Sequence, residues 1–365
     1  MDNLFVIAEQ FIRQGNIVSV HEYGQGNIND TFLVTMDAGM DRHWILQRIN
    51  AHVFRRPELI MHNVRIATDH MLERLAGRKP GEGRRWEVPR VLLTGDGRDH
   101  MIRPDGSFWR GLSFIEGCRS FDVIADDLHA GEVGYALGMF HSLLSDLPPG
   151  MLKDTLEGFH ITPLYLRHYR DILAKRGAKG SAEERYCAQF VEERAPWASV
   201  LEDAKAEGKL RLLPVHGDPK INNIMIDVSS DQAVGVVDLD TVKPGLVHYD
   251  IGDCLRSACN PLGEETEEWE NARFDTDICR AVLRGYLFEA RRFLTENDFI
   301  YFFDAVRLIA FELGLRFFTD HLEGNVYFKV KRPGHNLARA LVQLKLAASI
   351  ELQEAAVRAI VREMR

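Results

Sequence analysis

The chain has 365 residues, of which 45% are hydrophobic and 27% are charged, and its formal net charge is −9. This length allows two domains or lobes, and the composition is that of a soluble globular protein. The acidic balance argues against general nucleic-acid binding, for which a basic face is expected, and no apolar run reaches the length of a membrane span.

The N-terminus and the cysteines favour a cytoplasmic protein. The first residues, MDNLFVIAEQFIRQ, lack a basic n-region, so no signal peptide is expected. The five cysteines are odd in number and contain no CxxC pair, which favours reduced thiols over a disulfide framework or a zinc site. No feature indicates an obligate protein partner or a membrane.

The first part of the chain is predicted to combine a short helix with strands. Residues 4–12 fit an amphipathic helix, and strands are predicted at 16–20, 31–35 and 44–49. Between the first two strands lies YGQGNIND, residues 23–30. This stretch is either an ordinary hairpin turn or a turn whose backbone amides approach phosphates.

A predicted helix and two further strands follow. Residues 57–75 carry apolar side chains at helical spacing, and Pro57 suits the first turn of a helix. Strands are predicted at 91–94 and 108–115, after which residues 114–117 leave the sheet. Further helices are predicted at 126–144, 164–173 and 182–201.

The most informative stretch is 215–253. An apolar run at 224–226, a turn and a second apolar run at 233–237 predict a hairpin. Three polar motifs surround it, namely His216-Gly217-Asp218 with Asn223, then Asp238-Leu239-Asp240, then Asp250-Ile251-Gly252-Asp253.

The hairpin brings these motifs to one end. Strand alternation puts Asp238 and Asp240 on the same face. Oxygen ligands suit Mg²⁺, and phosphoryl transfer uses a carboxylate base together with an Asn and an Asp on metal. Any one motif alone is explained by the preference of Asp, Asn and Gly for turns, whereas three in order favour phosphoryl transfer.

The C-terminal part is predicted to be helical. Residues 264–270 contain five glutamates, which form either a solvated segment or an acidic rim for a cationic substrate. A helix is predicted at 304–319, where Glu312 and Arg316 are spaced as an i,i+4 ion pair. A break at 321–328 and a long terminal helix at 337–364 follow.

The motifs resemble those of the aminoglycoside phosphotransferase and choline kinase superfamily, which is related to protein kinases. Over nearly the whole chain, INNIMID, VDLDTVKPG and LRFFTDHLEGNVYF are similar to segments of N-acetylhexosamine 1-kinases. The resemblance implies an α+β, bilobal, protein-kinase-like fold. A small nucleotide-binding N-lobe with an antiparallel sheet is expected over residues 1–117. A larger, mostly helical C-lobe with the catalytic loop, metal site and acceptor site is expected over residues 118–365.

The resemblance also implies roles for individual residues. Asp218 is expected to act as the catalytic base, and Asn223 and Asp238 to bind Mg²⁺. Lys220 is a candidate for contact with the transferred phosphate. Loop support is expected from His216, Asp240 and Asp250. Contact with the acceptor is expected from Asp218, Arg256, Arg316 and Tyr327, although Arg256 is alternatively a partner of an acid.

The expected ATP-binding residues lie in the N-lobe, namely Gly24, Gly26, Asn27, Asn29, Gln47, Phe114 and Glu116. Protein kinases carry a lysine on the third strand that holds the α- and β-phosphates. This chain offers Gln47 or Arg48, which alternate in direction, and Gln47 stands at the lysine position.

The expected function is ATP- and Mg²⁺-dependent phosphorylation of a small hydroxyl compound. The resemblance favours the anomeric hydroxyl of an N-acetylhexosamine or related sugar. One alternative, an aminoglycoside or amino-alcohol kinase of the choline or homoserine type, is supported by the acidic segment. The other, a nucleotide-binding pseudokinase, is supported by the missing lysine.

Overall fold

A computed structural model describes residues 4–11, 14–24, 28–39, 42–77, 83–176 and 180–365. The strands are β1 (Ile17–Glu22), β2 (Asp30–Met36), β3 (His43–Ile49), β4 (Val91–Leu92), β5 (Met101–Ile102), β6 (Phe108–Ser113), β7 (Cys118–Arg119), β8 (Leu213–Val215), β9 (Ile224–Asp227), β10 (Ala233–Val236) and β11 (Lys243–Gly245). The helices are α1 (Leu4–Ala8), α2 (Pro57–Ala76), α3 (Asp127–Leu144), α4 (Thr162–Arg176), α5 (Ala182–Arg194), α6 (Val200–Ala206), α7 (Val247–Ala258), α8 (Thr276–Ala290), α9 (Glu296–Ile300), α10 (Phe302–Glu323), α11 (His335–Leu352) and α12 (Glu354–Met364).

The N-terminal lobe is an antiparallel sheet in the order β1-β2-β3-β6-β4, with β5 also paired to β6. Apolar side chains on one side of the sheet, Val34, Trp44, Leu46 and Trp109, form a small core with Phe11. Pro57 occupies the first turn of α2, where its missing N–H costs no hydrogen bond. These elements confirm the predicted antiparallel sheet, although β5 was not predicted.

The C-terminal lobe is mostly helical and contains the larger hydrophobic core. Helices α3 and α8 approach each other closely because glycines lie at their contact. A Cβ atom added to Gly134 would lie 1.9 Å from the Val282 carbonyl oxygen, and one added to Gly285 would lie 1.9 Å from the Gly131 oxygen. This close packing of α3 fixes the helix that supports the catalytic loop.

Two small sheets carry the motifs. The predicted hairpin is confirmed as β9 and β10, and β7 pairs with β9 to make a third strand. Strand β8, which leads into His216, pairs with β11, which follows Asp240. The described architecture confirms the α+β, bilobal, kinase-like fold, while the lobe boundary after Gly117 stays a prediction. Within the described ranges, no helix is both long enough and apolar enough to cross a membrane.

Two helix predictions were wrong in extent. The terminal segment 337–364 is two helices, α11 and α12, separated at Gln353. The segment 182–201 divides because α5 ends at Arg194 and a 3₁₀ turn with Pro196 in its first turn follows. A proline has no N–H for the helical ladder and restricts the residue before it, so the α-helix stops there.

Candidate active site

A cavity of about 510 Å³ lies where the N-terminal sheet faces the β9–β10 hairpin. Its lining includes the predicted nucleotide residues Gly24, Asn29, Gln47 and Phe114, together with Asp218, Asn223, Asp238 and Asp240. The sheet and the catalytic stretch therefore form one cleft.

One of the predicted nucleotide residues lies outside the lining of the cleft, and two are not among the described residues. Gly26 and Asn27 lie outside the described residues. Glu116 is not in the lining of the cleft, and its carboxylate lies 2.6 Å from His43 Nδ1 while its carbonyl oxygen accepts a bond from Arg85. A carboxylate committed to a histidine on β3 is turned away from the cleft.

The predicted catalytic loop, which carries His216, Gly217 and Asp218, is held by Asp250, which lies in the first turn of α7 and is fully buried. Its two carboxylate oxygens accept bonds from the backbone N–H groups of His216 (2.6 Å) and Gly217 (2.8 Å). His141 on α3 bonds to the same carboxylate (2.8 Å). Loop support from His141 was missed, because its apolar helix face indicated only a core histidine.

His216 and Gly217 shape the loop itself. The His216 ring bonds to the Val237 carbonyl (3.0 Å), which ties the loop to the end of β10. Gly217 has φ +86°, and an added Cβ would lie 2.9 Å from the Thr241 carbonyl oxygen. Only glycine fits this backbone without strain.

Asp218 is partly exposed at the cleft, and its carboxylate lies 3.0 Å from Lys220 Nζ. Burial raises the pKa of Asp218, but the charges of Lys220, Arg256 and His216 outweigh burial and hold that pKa below its usual value. Asp218 is therefore an ionised carboxylate, able to accept a proton, beside the Lys220 ammonium group. The Asp218 carboxylate raises the pKa of Lys220 in turn.

Asn223 and Asp238 form the candidate cation site. The Asn223 amide donates to the Asp218 carbonyl oxygen (2.8 Å), so its own Oδ1 is the atom that a cation can use. Partial desolvation in the cleft and the nearby carboxylates of Asp240 and Asp218 raise the pKa of Asp238 to about 6. The Asp238 side chain is itself exposed to solvent, and its carboxylate, with the Asn223 amide oxygen beside it, suits a hard divalent cation.

The predicted strand alternation at Asp238 was wrong. Strand β10 ends at Val236, and Asp238 has the left-handed backbone φ 64°, ψ 57° before a 3₁₀ turn at Leu239–Thr241. Asp238 and Asp240 nevertheless both line the cleft. A non-glycine residue in this conformation persists only where its surroundings hold it there.

On β3, Gln47 faces the cleft while Arg48 pairs with Asp30 and is half-exposed. The Gln47 carbonyl accepts bonds from Arg110 on β6. Arg110 also forms a buried ion pair with Asp240. Sequence reasoning missed Arg110, because its position depends on the pairing of two strands about 60 residues apart.

Of the four predicted acceptor residues, Asp218 lines this cleft. The other three, Arg256, Arg316 and Tyr327, lie outside its lining, on the side of α7 and α10. Arg256 and Arg316 both lie within electrostatic range of Asp218. Arg256 pairs with Asp253 (2.7 Å) and Glu264 (2.6 Å). The Tyr327 segment is fixed by Asp320, which accepts bonds from three successive backbone N–H groups.

Arg316 lies among aromatic rings. Its guanidinium carbon is 5.1 Å from the ring centres of Phe159 and Tyr165, 5.4 Å from Phe328 and 5.8 Å from Tyr327. The predicted Glu312–Arg316 ion pair was wrong, because Glu312 bonds instead to His160 and Thr162. Among the residues that the structure describes, the Arg316 guanidinium has no hydrogen-bond acceptor.

The acidic segment is partly neutralised by cations of the same chain. Beyond the Glu264–Arg256 pair, Glu265 contacts Arg339 (2.5 Å) and His335 (2.7 Å). Glu267 contacts Arg332 (3.0 Å). Among the described residues, Glu268 and Glu270 have no ion pair, and Glu268 accepts a bond from Asn271. Three of the five glutamates are therefore paired with cations of the same chain.

Residues 19–293 match the family model described as "Phosphotransferase enzyme family". Among solved structures, an aminoglycoside phosphotransferase from Alicyclobacillus acidocaldarius is similar at 16% identity with a TM-score of 0.60, over 98% of this chain and 95% of that one. The amicoumacin kinase hAmiN, solved with AMP-PNP and Ca²⁺, matches at 15% identity and a TM-score of 0.62, over 94% and 93%. A choline kinase from Cryptosporidium parvum matches at 13% identity and a TM-score of 0.61, over 97% and 96%. The family match confirms the resemblance drawn from the three motifs, and the chain belongs to the phosphotransferase enzyme family.

Proposed function

We propose that this protein is an ATP-dependent kinase that phosphorylates a hydroxyl group of a small sugar, with an N-acetylhexosamine as the leading acceptor. The observation that carries the proposal is the cleft itself. Asp218, Asn223 and Asp238 line the same cavity as Gly24, Gln47 and Phe114. The candidate base, the candidate cation ligands and the candidate nucleotide residues thus line one cavity, which supports the proposal.

In this proposal Asp218 orients the acceptor hydroxyl and accepts its proton. Its lowered pKa keeps it ionised near neutral pH. Lys220, 3.0 Å from Asp218, supplies a positive charge where the transferred phosphoryl group would pass. Positioning and charge stabilisation account for most of the catalysis in phosphoryl transfer.

Asn223 Oδ1 and the Asp238 carboxylate would hold Mg²⁺. The chemistry that a bound Mg²⁺ would supply there is neutralisation of the charge that develops on the terminal phosphates of ATP. The turn at Gly24 and the residues near Phe114 would hold the rest of the nucleotide. Tyr23 and Phe114, whose ring centres are 5.7 Å apart, line the same cavity.

The acceptor side supports a neutral, hydroxyl-rich compound. Arg316 has N–H donors without an acceptor among the described residues and lies near Asp218. Sugar hydroxyls and an acetamido carbonyl are acceptors for such donors, and Tyr327 offers an exposed ring beside them. The acids that a cationic acceptor would need, Glu264, Glu265 and Glu267, are already paired with arginines.

The second candidate is an aminoglycoside or amino-alcohol kinase. It is favoured by the solved structures named above and by an aminopropanol kinase that matches at 16% identity and a TM-score of 0.62. This candidate predicts that the acidic segment releases its arginines when substrate binds.

A coupled ADP-release assay with ATP and Mg²⁺ tests both candidates. The panel contains N-acetylglucosamine, N-acetylgalactosamine, galactose, choline, homoserine and kanamycin. Turnover with an N-acetylhexosamine is expected, and its product should lose reducing-end reactivity if the anomeric hydroxyl is the one phosphorylated. Turnover with the cationic compounds alone would move the assignment to the second candidate.

Asp218→Asn is the matched test of the base. We expect kcat to fall by about 10²- to 10⁴-fold, with little change in nucleotide binding, because the amide keeps the shape and loses the proton acceptor. Asp127→Asn, in an exposed first turn of α3, is the control. An unchanged kcat in Asp218→Asn would refute the role of this residue as the base.

A further inference from the structure

Four side chains join the N-terminal sheet to the loop that carries Asp238. They are Asn29 at the start of β2, Gln47 on β3, Arg110 on β6 and Asp240 in the 3₁₀ turn, and we refer to them as the clasp. All four line the cleft. Asp240 and Arg110 are 3% and 1% exposed, so their ion pair is almost fully removed from water.

The contacts of the clasp use nearly every polar atom it has. One oxygen of Asp240 pairs with Arg110, and the other accepts a bond from Asn29 Nδ2 (2.6 Å). Arg110 donates to Gln47 Oε1 from Nε (3.0 Å) and from Nη2 (2.7 Å). Gln47 Nε2 donates to Thr31 Oγ1 (3.0 Å).

Register explains why Arg110 is the cation here. Gln47 and Arg110 are direct partners in the β3–β6 pairing, so their side chains lie on the same face of the sheet. Gln47 stands where kinases carry a lysine. The positive charge on this face of the sheet is therefore carried by Arg110 on β6, the strand next to β3.

Arg110 is poorly placed to bind phosphate itself. Its exposure is 1%, and Asp240 neutralises its charge. Its Nε and Nη2 groups already donate hydrogen bonds to the side chains of Gln47 and Asp240. The clasp therefore acts on the metal loop and not on the nucleotide directly.

The clasp affects the backbone conformation of Asp238. This residue has φ 64°, an unfavourable backbone conformation for a side chain with a Cβ. Asp240 lies two residues further along and is tied to Asn29 and to Arg110 on the sheet. Holding Asp240 therefore holds the turn that aims the Asp238 carboxylate.

We infer that Arg110, through its buried ion pair with Asp240, is a positioning residue that sets Asp238 for divalent-cation binding. This inference depends on the proposed function only where cation binding is taken to support catalysis. The binding of a cation to the purified protein tests it without turnover.

The experiment is a titration of Mn²⁺ by electron paramagnetic resonance in the presence of ADP, with metal-free ADP binding measured by calorimetry. Arg110→Met should weaken Mn²⁺ binding by about 10- to 100-fold, as removal of groups that orient metal ligands commonly does, and should leave metal-free ADP binding unchanged. Asp240→Asn should act in the same direction. Arg110→Lys, which keeps the charge, should recover most of the loss.

The control is Arg307→Met, which breaks the partly buried Arg307–Asp304 pair on α10 and does not touch the cleft. It should leave Mn²⁺ binding unchanged. If Arg110→Met fails to fold by circular dichroism, Asp240→Asn and Arg110→Lys give the same comparison. Unchanged Mn²⁺ affinity in Asp240→Asn, and in Arg110→Met where it folds, would overturn the inference.

An equal loss of ADP binding with and without metal would also overturn it, because that result indicates direct phosphate contact. If the wild type binds Mn²⁺ and ADP but phosphorylates no acceptor, the proposed function fails while the inference is still decided by the titration. If the wild type binds no Mn²⁺ with ADP, both are refuted.

Discussion

His160 connects helix α10, which carries the proposed acceptor residue Arg316, to the loop that carries Asp218. Its Nε2 lies 2.8 Å from the Gly217 carbonyl oxygen, and its Nδ1 lies 2.8 Å from Glu312 Oε1. Both neighbours are acceptors, so both ring nitrogens donate only if the imidazole is charged. Burial lowers the pKa of His160, but the Glu312 carboxylate outweighs burial and raises that pKa above its usual value.

We predict that His160→Gln lowers the free energy of unfolding by about 3 kcal/mol near pH 6, because it removes the cation that is hydrogen-bonded to the buried Glu312 carboxylate. A group with a raised folded-state pKa stabilises fully below its unfolded pKa and loses this contribution as pH rises through the folded pKa. The difference between wild type and variant should therefore shrink between pH 6 and pH 9 in chemical denaturation.

The control for this prediction is His168→Gln. His168 faces Glu323 at 3.0 Å, but 52% of its side chain is exposed. Solvent screens such pairs, so a change below about 1 kcal/mol is expected. A pH-independent loss of stability in His160→Gln would show that the charged pair is not the source of its effect.

At the scale of elements, the α3–α8 contact determines where the supports of the catalytic loop lie. The glycine at 134 leaves no room for a side chain, since an added Cβ would also lie 2.7 Å from the Val282 carbonyl carbon. Gly134→Ala should therefore destabilise the protein by about 1–3 kcal/mol through overpacking, as measured by thermal or urea unfolding.

Gly131 on the same helix is the matched control. An added Cβ there comes no nearer than 4.0 Å, to the Ala281 carbonyl oxygen. Gly131→Ala should be neutral or stabilising by up to about 1 kcal/mol, because alanine favours the helix. Equal destabilisation by both substitutions would contradict the close approach of α3 and α8 at Gly134.

Local sequence patterns predicted some of these elements and missed others. The β9–β10 hairpin and helices α2, α3 and α10 have strong local signals and were predicted. Helix α8 was missed, although Asp275 caps it and apolar residues recur at helical spacing. The left-handed Asp238 and the Arg110–Asp240 pair depend on contacts between distant segments, which local periodicity does not report.

At the scale of the whole molecule, charges of both signs face each other around Asp218. Among the described residues, the cations Lys220, Arg256 and Arg316 act on carboxylates that include Asp218, Asp253, Glu264 and Glu312. Asp238 adds a further carboxylate beside Lys220. A cationic acceptor would therefore meet fixed cations as well as carboxylates in this region.

We predict that N-acetylgalactosamine is a better acceptor than galactosamine, which has the same ring but a cationic amine. An unpaired ammonium group near Arg316 loses about 1 kcal/mol by repulsion, or about fivefold in kcat/KM. Added salt should reduce the ratio of kcat/KM for N-acetylgalactosamine to kcat/KM for galactosamine, because salt screens exposed charges. Arg316→Met should reduce this ratio further. The measurement is kcat/KM for both sugars from 50 to 500 mM NaCl, about the range over which screening becomes strong. A preference for galactosamine that weakens with salt would instead indicate a free acidic site and would favour the amino-alcohol or aminoglycoside assignment.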